Sequence, residues 1–346
     1  MTVLRVGLAA FGVISRSLHA PAIAGTPGLE LAAVATSRST EVAPQVPGVR
    51  LHDSPVRLLA DDEVDVVVIT TPNDTHVPLA LAAIEAGKHV ILEKPVALNA
   101  DEGERLLAAA EQAQAEGLVV SAFHNRRWDG DLATLRRVLD EGLVGRPVTL
   151  ESRWDRFRPI VQQRWRESGA PGGGVWADLG THLVDQALVL FGEPEWVWGD
   201  LRATRDGALI DDEAHVVLGY GDLRVSIVVS SLSGLATPRF VLRGTRGSVL
   251  IDGDVAELPR GVGDEAGTEA VRAVFADADG PRDIRREPSR PAAFYAAFRD
   301  AVLGGGEVPV PISDAVAGLR ILDAARRSSE EGQRIDVARA VVGGAE

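Results

Sequence analysis

Two short constellations in the 346-residue chain carry residue types suited to moving a proton. In Glu93-Lys94-Pro95 a lysine stands between a carboxylate and a proline, directly after the apolar run His89–Leu92. Asp178, His182 and Asp185 stand at i, i+4 and i+7, which puts all three on one face of a helix. Histidine suits proton exchange with a hydroxyl because its unperturbed pKa lies near ~6.5. A carboxylate beside the ring fixes its tautomer and stabilises its protonated form. An ammonium at Lys94 can hydrogen-bond a reacting oxygen and favour a developing alkoxide. Interconverting an alcohol and a carbonyl needs such groups to take up and return the hydroxyl proton. Plainer readings stand beside these: a surface lysine, a satisfied core histidine, or a metal held by one histidine and two carboxylates.

A second set of residues has the chemistry of nucleotide binding. After the run Leu4–Ala9, the segment Ala10-Phe11-Gly12-Val13-Ile14-Ser15 takes the place of a G-x-G-x-x-G turn with only its central glycine, Gly12. That glycine lets a pyrophosphate approach a helix N-terminus, where N–H groups and the helix dipole favour anions. Phe11, Gly12, Val13 and Ile14 are therefore candidate cofactor contacts, and a tight turn without ligand is the alternative. Further on, Thr36-Ser37-Arg38-Ser39 offers hydroxyls and a guanidinium where an NAD site usually has an acid. Ser37 and Arg38 suit a 2′-phosphate, so NADP is favoured over NAD; the alternative is a solvated loop. Asn73 and His76 cap a turn or touch the cofactor. Glu93 positions Lys94 or contacts the nicotinamide ribose. Arg156, Phe157, Arg158, Trp165 and Arg166 form an arginine-aromatic cluster able to line a carbohydrate site by stacking and forked hydrogen bonds, or to serve packing and surface charge.

The elements that position these residues follow from periodicity. Leu4–Ala9, Leu29–Ala35, Asp65–Thr70, His89–Leu92 and Leu118–Phe123 read as short strands buried on both faces. Helical patterns lie between them, including Thr75–Ala86, closing at Gly87, and Asp101–Glu116, with Asn99 and Glu102 in capping spacing and Gly117 as the stop. Strand–helix alternation predicts a doubly wound parallel sheet over 1–124. From 125 on, the pattern predicts an α/β domain: a helix over Leu132–Glu141, a strand near Val148–Trp154, a helix opened by Gly172-Gly173-Gly174, and a mostly antiparallel sheet over Glu195–Asp252. The Gly/Asp-rich stretch Asp254–Arg290 reads as a long excursion, followed by helices at Ala292–Leu303 and Ser313–Ser329.

Thr71-Pro72-Asn73-Asp74-Thr75-His76 and Ala86-Gly87-Lys88-His89-Val90-Ile91-Leu92-Glu93-Lys94-Pro95 resemble the Gfo/Idh/MocA family, the glucose–fructose oxidoreductase and inositol dehydrogenase group. Asp178 to Asp185 resembles the family's D-x-x-x-H segment. Phe123 to Asp129 and Arg156 to Pro159 resemble bacterial oxidoreductases within it. The resemblance implies an N-terminal Rossmann domain, a C-terminal domain with a large open sheet, and hydride transfer between NAD(P) and a sugar, polyol, cyclitol or related hydroxy or keto compound. It implies catalytic roles for Lys94, His182 and Asp178. It adds Thr71, Pro72 and Asn125 to the cofactor contacts; Arg158 and Trp165 of the arginine–aromatic cluster, and Asp185 on the helix face, are the candidate substrate contacts. It implies no metal. It also implies a homodimer or homotetramer formed through the C-terminal sheet, since helices can cover only one of the sheet's faces. A redox-neutral glycoside hydrolase and a non-catalytic NAD(P) sensor are the alternatives on the same fold.

Composition narrows the partners. With 36 basic and 50 acidic side chains the net charge is −14, which disfavours nucleic acid and anionic membranes. There is no cysteine, hence no disulfide and no thiolate site. No apolar run approaches the ~20 residues of a membrane helix and no targeting segment is visible, so a cytoplasmic protein is expected. Only Lys88 and Lys94 are lysines, which gives weight to the one inside Glu-Lys-Pro. Lys88 reads as a favourable helix end.

Overall fold

The computed structural model describes residues 2–235, 237–252 and 272–337. They divide into two compact units: residues 2–129 with 290–316, and the rest.

In the first unit β1 (Leu4–Leu8), β2 (Leu29–Ala35), β3 (Arg50–His52), β4 (Val66–Ile69), β5 (His89–Leu92) and β6 (Val120–Ala122) form one parallel sheet. Their order is β3-β2-β1-β4-β5-β6, the doubly wound arrangement that reverses direction between β1 and β4. β4 is buried throughout and β5 from Val90 onward, as strands covered on both faces must be. One helix follows each of the first five strands: α1 (Ala20–Gly25), α2 (Ser39–Val42), α3 (Pro55–Leu59), α4 (His76–Glu85) and α5 (Ala100–Ala115). α5 begins as its sequence predicts. Asn99 Oδ1 accepts the Glu102 N–H at 2.9 Å, and Glu102 Oε2 accepts the Leu98 N–H at 3.3 Å. Gly117, at φ +87°, then turns the chain out of the helix.

Two readings of this unit need correction. β3 has no counterpart among the expected strands. Lys88 is buried, and its Nζ donates to the carbonyls of Asp61 (2.9 Å) and Val64 (2.8 Å), so it ties down the loop before β4. The return segment 290–316 brings α8 (Ala293–Val302), whose Phe294, Tyr295 and Phe298 are fully buried. It also covers the free edge of β6, because the Val310 carbonyl accepts from the Ala122 N–H and the Ser121 hydroxyl, each at 3.0 Å.

The second unit opens with α6 (Gly130–Asp140) and builds a sheet from β7 (Pro147–Asp155), β8 (Trp196–Arg202), β9 (Glu213–Tyr220), β10 (Leu223–Ser230), β11 (Pro238–Gly244), β12 (Ser248–Asp252), β13 (Ala273–Asp277), β14 (Gly280–Asp283) and β15 (Ile335–Asp336). The order is β14-β13-β12-β11-β7-β10-β9-β8-β15, with β7 and β10 parallel and the other pairs antiparallel. β13 and β14 fall within the stretch read as an excursion, which is corrected to that extent; residues 254–271 of it lie outside the described residues.

One face of this sheet is buried, through Val197, Ala214, Val216, Leu218, Val225 and Ile227 among others. α7 (Thr181–Phe191) and α9 (Ile312–Glu331, from Ala317 onward in this unit) supply its cover. α9 lies so close to β8 that a Cβ on Gly199 would stand 2.6 Å from the Ala325 carbonyl oxygen. The Ser328 hydroxyl meets the Gly199 N–H at 2.9 Å. On the opposite face, paired positions Trp198, Val217, Ser226, Glu151, Val241, Leu250 and Val274 run in register across seven strands. None of them is buried, and Trp198 is 39% exposed.

Candidate functional site

The carboxyl ends of β1, β4, β5 and β6 deliver Ala10–Gly12, Thr70–Asn73, Glu93–Pro95 and His124–Asn125 to one edge of the parallel sheet. This edge is where doubly wound sheets bind ligands. Phe11 is buried, whereas Gly12 and Val13 are exposed and Ile14 is half-buried. A Cβ on Gly12 would meet no atom within 4 Å, and its φ is not in the left-handed region. Neither packing nor backbone conformation therefore requires a glycine here, while the open space above the turn fits an approaching pyrophosphate. The helix beyond starts with a π-wound turn, Ser15–His19, which runs into α1. Ser15, in the place of the third fingerprint glycine, is buried and meets Thr70 Oγ1 at 2.8 Å, fastening this helix to the end of β4. At the end of β2, Ser37 and Arg38 are exposed, and Arg38 makes only an exposed ion pair with Glu41 at 3.6 Å among its side-chain partners here. Its guanidinium is thus accessible to a phosphate.

Behind this edge lies a set of buried polar groups. His76 sits at the start of α4 with Nδ1 2.8 Å from the Pro95 carbonyl and Nε2 2.9 Å from the Thr71 carbonyl. It therefore clamps the Thr71–Asn73 loop to the Glu93–Pro95 segment. Burial pushes its pKa down, against those two bonds and the charges of Glu93 and Asp74. Asn73 is buried at the head of the same loop. Glu93 Oε2 accepts the N–H of Lys94 at 3.0 Å, and Oε1 lies 2.9 Å from Nε2 of His19. The other nitrogen of His19 lies 2.6 Å from the Tyr295 hydroxyl. Burial pushes the Glu93 pKa up, but the His19 hydrogen bond and the Lys94 charge work against it, and the pKa stays below the ordinary value. Asn125 is buried and opens the turn Asn125–Trp128 beyond β6.

In the second unit another π-wound turn, Trp176–Gly180, runs into α7. Trp176 anchors it: its Nε1 donates to the Leu322 carbonyl at 3.1 Å, and its N–H donates to Asp211 at 2.7 Å. Gly180 is obligatory, because a Cβ there would stand 2.3 Å from the Trp176 ring. The uniform α spacing assumed for Asp178, His182 and Asp185 is thus corrected, since Asp178 lies within the π turn and the other two in α7.

Asp178 faces Arg166 at 3.6 Å and Arg156 at 4.0 Å. It lines a small recess together with Arg156, Arg158, Arg166 and Ser231. Arg205 and Arg164, also on its wall, are held by Glu167 and Asp212. His182 is buried and stacks on Trp154, with ring centroids 5.6 Å apart. Arg156 lies over the same indole at 5.7 Å, which links His182 to Asp178 through Trp154 and Arg156. Asp185 is buried further along α7. Trp165 carries the Arg166 guanidinium over its ring at 4.6 Å.

The structure thus gathers Gly12, Thr71, Asn73, His76, Glu93, Lys94 and Asn125 along one sheet edge, and Asp178, Arg158 and Arg166 around one recess. Sequence reasoning missed His19, Tyr295, Trp154 and Ser15. Ser15 alone had a local signal, its place in the fingerprint. Among the described residues no group of three or more His, Cys, Asp or Glu side chains could hold a metal, and no helix is long and apolar enough to cross a membrane.

Comparison with known proteins shows the family. Residues 4–121 match the model of an oxidoreductase family with an NAD-binding Rossmann fold, and residues 132–250 match that of a GFO/IDH/MocA C-terminal domain. The uncharacterized oxidoreductase YdgJ of Escherichia coli is 41% identical over 330 residues, covering 92% of this chain and 94% of its own. The scyllo-inositol 2-dehydrogenase (NADP(+)) IolW of Bacillus subtilis is 31% identical over 344 residues, covering 96% and 95%. A solved structure from Yersinia pestis aligns with a TM-score of 0.89 at 37% identity, covering 98% of each chain.

Proposed function

The chain belongs to the Gfo/Idh/MocA family of oxidoreductases, and we propose that it interconverts a hydroxyl and a carbonyl on a sugar, polyol or cyclitol with NADP as the preferred cofactor. The observation that carries this reading is the alignment, on one sheet edge, of an open turn at Gly12, an accessible Arg38 after β2, and Lys94 after β5. Gly12 and the first helix turn would hold the pyrophosphate. Ser37 and Arg38 would hold the 2′-phosphate, which accords with the NADP(+) in the name of IolW. Phe11, Val13, Ile14, Thr71, Pro72, Asn73, His76, Glu93 and Asn125 would frame the remainder. When bound, the nicotinamide supplies the two-electron acceptor or donor that no side chain provides.

The protein's own task is the proton. In oxidation His182 takes the hydroxyl proton while the Lys94 ammonium stabilises the developing oxyanion; in reduction the proton returns. Asp178 orients the substrate, its carboxylate set between Arg156 and Arg166. Asp185, Arg158 and Trp165 complete the substrate contacts. The partially exposed stripe from Trp198 to Val274 pairs two copies of the chain through the open sheet face, giving a cytoplasmic homodimer or homotetramer.

A dehydrogenase screen over sugars, polyols and cyclitols with both nucleotides tests the reading. Substrate-dependent formation of reduced nucleotide, faster with NADP, is expected. Tight NADP binding without turnover on any of these compounds, in either direction, would contradict it.

A further inference from the structure

Glu93 is held by His19, and His19 in turn by Tyr295, neither of which the sequence motif contains. His19 comes from the π-wound turn after β1 and Tyr295 from α8, 276 positions apart in the chain. Both are buried, and the Glu93 side chain is only 14% exposed. Phe123 packs against the His19 ring at 4.5 Å, and Phe294 packs against Phe123 at 4.7 Å, so the surroundings are apolar. In such surroundings an unmatched donor or acceptor is costly, which restricts the hydrogens to one arrangement.

A carboxylate only accepts, so His19 Nε2 carries a hydrogen and donates to Oε1. In a neutral imidazole Nδ1 is then an acceptor, and the Tyr295 hydroxyl donates to it. Burial, and after it the charge of Glu93, push the Tyr295 pKa upward, so the phenol keeps the proton this arrangement needs. The chain of donors ends on Glu93, whose second oxygen receives the N–H of Lys94. One carboxylate oxygen is thereby fixed from behind and the other is aimed at the backbone of the lysine.

We infer that His19 and Tyr295 are positioning residues that hold Glu93 as an oriented carboxylate and, through it, set the placement of Lys94. The inference rests on the reading of Lys94 as a catalytic residue. His19 and Tyr295 act from behind the Glu93 carboxylate. Their effect passes through the Glu93 carboxylate to the peptide that carries Lys94.

The two natural explanations for a buried histidine, relay and filler, respond oppositely to substitution. A glutamine at 19 can donate to Glu93 and accept from Tyr295, whereas a leucine fills the apolar space without doing either. In His19→Gln, kcat is expected to stay within roughly tenfold of wild type, and in His19→Leu to fall well below that, with Tyr295→Phe between them. The dissociation constant for NADP is expected to move much less than kcat in all three. Leucine performing as well as glutamine would overturn the inference.

Two readouts do not need turnover. Nitrogen NMR of histidine-labelled protein, with His19 assigned by its loss in His19→Gln, should show the Nε2–H tautomer in the intact chain; an Nδ1–H tautomer would overturn the relay. Acetylation followed by mass spectrometry reads Lys94 directly, with buried Lys88 as the internal control. The Lys94 rate should change several-fold in His19→Leu and return toward wild type in His19→Gln, and no change in either would overturn the inference. If no substrate turns over while both readouts behave as expected, the proposed reaction fails and the positioning network stands. If Lys94→Ala abolishes turnover while His19→Leu leaves it intact, the network fails and the reaction stands.

Discussion

At the scale of single residues, space and charge at the sheet edge make separable predictions. Gly12 has no neighbour that a side chain would strike, so Gly12→Val should leave the melting temperature close to that of the wild type and abolish nucleotide binding. Calorimetric titration and a thermal melt on the same sample check this, and unchanged affinity would remove the turn from the cofactor site. Arg38 lies exposed at the end of β2, so Arg38→Ala should lower affinity for NADP by roughly tenfold or more and leave that for NAD nearly unchanged. Equal loss of both would refute the 2′-phosphate role. Gly12, Lys94 and Asp178 could be singled out because each stands in a short motif whose spacing carries its chemistry. His19 and Tyr295 could not. Their partners stand 74 and 276 positions away, and no local pattern links residues that only the fold brings together. Lys88 illustrates a different failure: its position after α4 suggested a helix-end charge, while burial against two carbonyls gives it a structural task.

At the scale of elements, the strands of the parallel sheet were legible because β-branched runs buried on both faces are short, continuous and bounded by turns. The capped start of α5 was equally plain. Asn99→Ala should cost about 1 kcal/mol, read as a lower denaturant midpoint at unchanged slope, because it leaves the Glu102 N–H without its cap. No loss would mean that this bond adds nothing beyond what water supplies. β3 escaped because Arg50-Leu51-His52 is three residues long and largely polar, and β13 and β14 because their alternation sits inside a Gly/Asp-rich stretch. The two π-wound turns were beyond any reading based on a 3.6-residue period. Both carry residues singled out here, Ser15 and His19 in one and Asp178 in the other, and π turns of this kind recur at functional sites.

At the scale of the whole molecule, fold class was readable from the change of periodicity near residue 125, but the return of 290–316 to the first unit was not, since no motif marks it. The proposed pairing through the open sheet face predicts self-association. Trp198→Arg, at the exposed end of the in-register stripe, should shift the mass measured by light scattering toward the monomer, and a wild-type monomer at micromolar concentration would contradict the proposed pairing. Charge pairing also sets a response to acid. The carboxyls of Asp61, Asp65, Glu93, Glu167 and Asp212 are held below their ordinary values: burial works against the shift in each, and hydrogen bonds and cationic neighbours outweigh it, in Asp65 led by the Arg5 hydrogen bond. A depressed carboxyl contributes stability above its unfolded pKa and loses it as pH falls through the folded value. Melting temperature should therefore be nearly level from neutrality to the ordinary carboxylate range and fall below it. Asp211, pushed up by burial, works in the opposite sense. In the proposed reaction Lys94 and His182 handle the proton of a nicotinamide-dependent alcohol–carbonyl interconversion. The most direct test is single-turnover kinetics of Lys94→Ala and His182→Ala beside the wild type, at saturating NADP and a cyclitol or sugar substrate. Each variant should react at least ~100-fold more slowly with nucleotide affinity nearly unchanged, and wild-type rates in either would contradict the account.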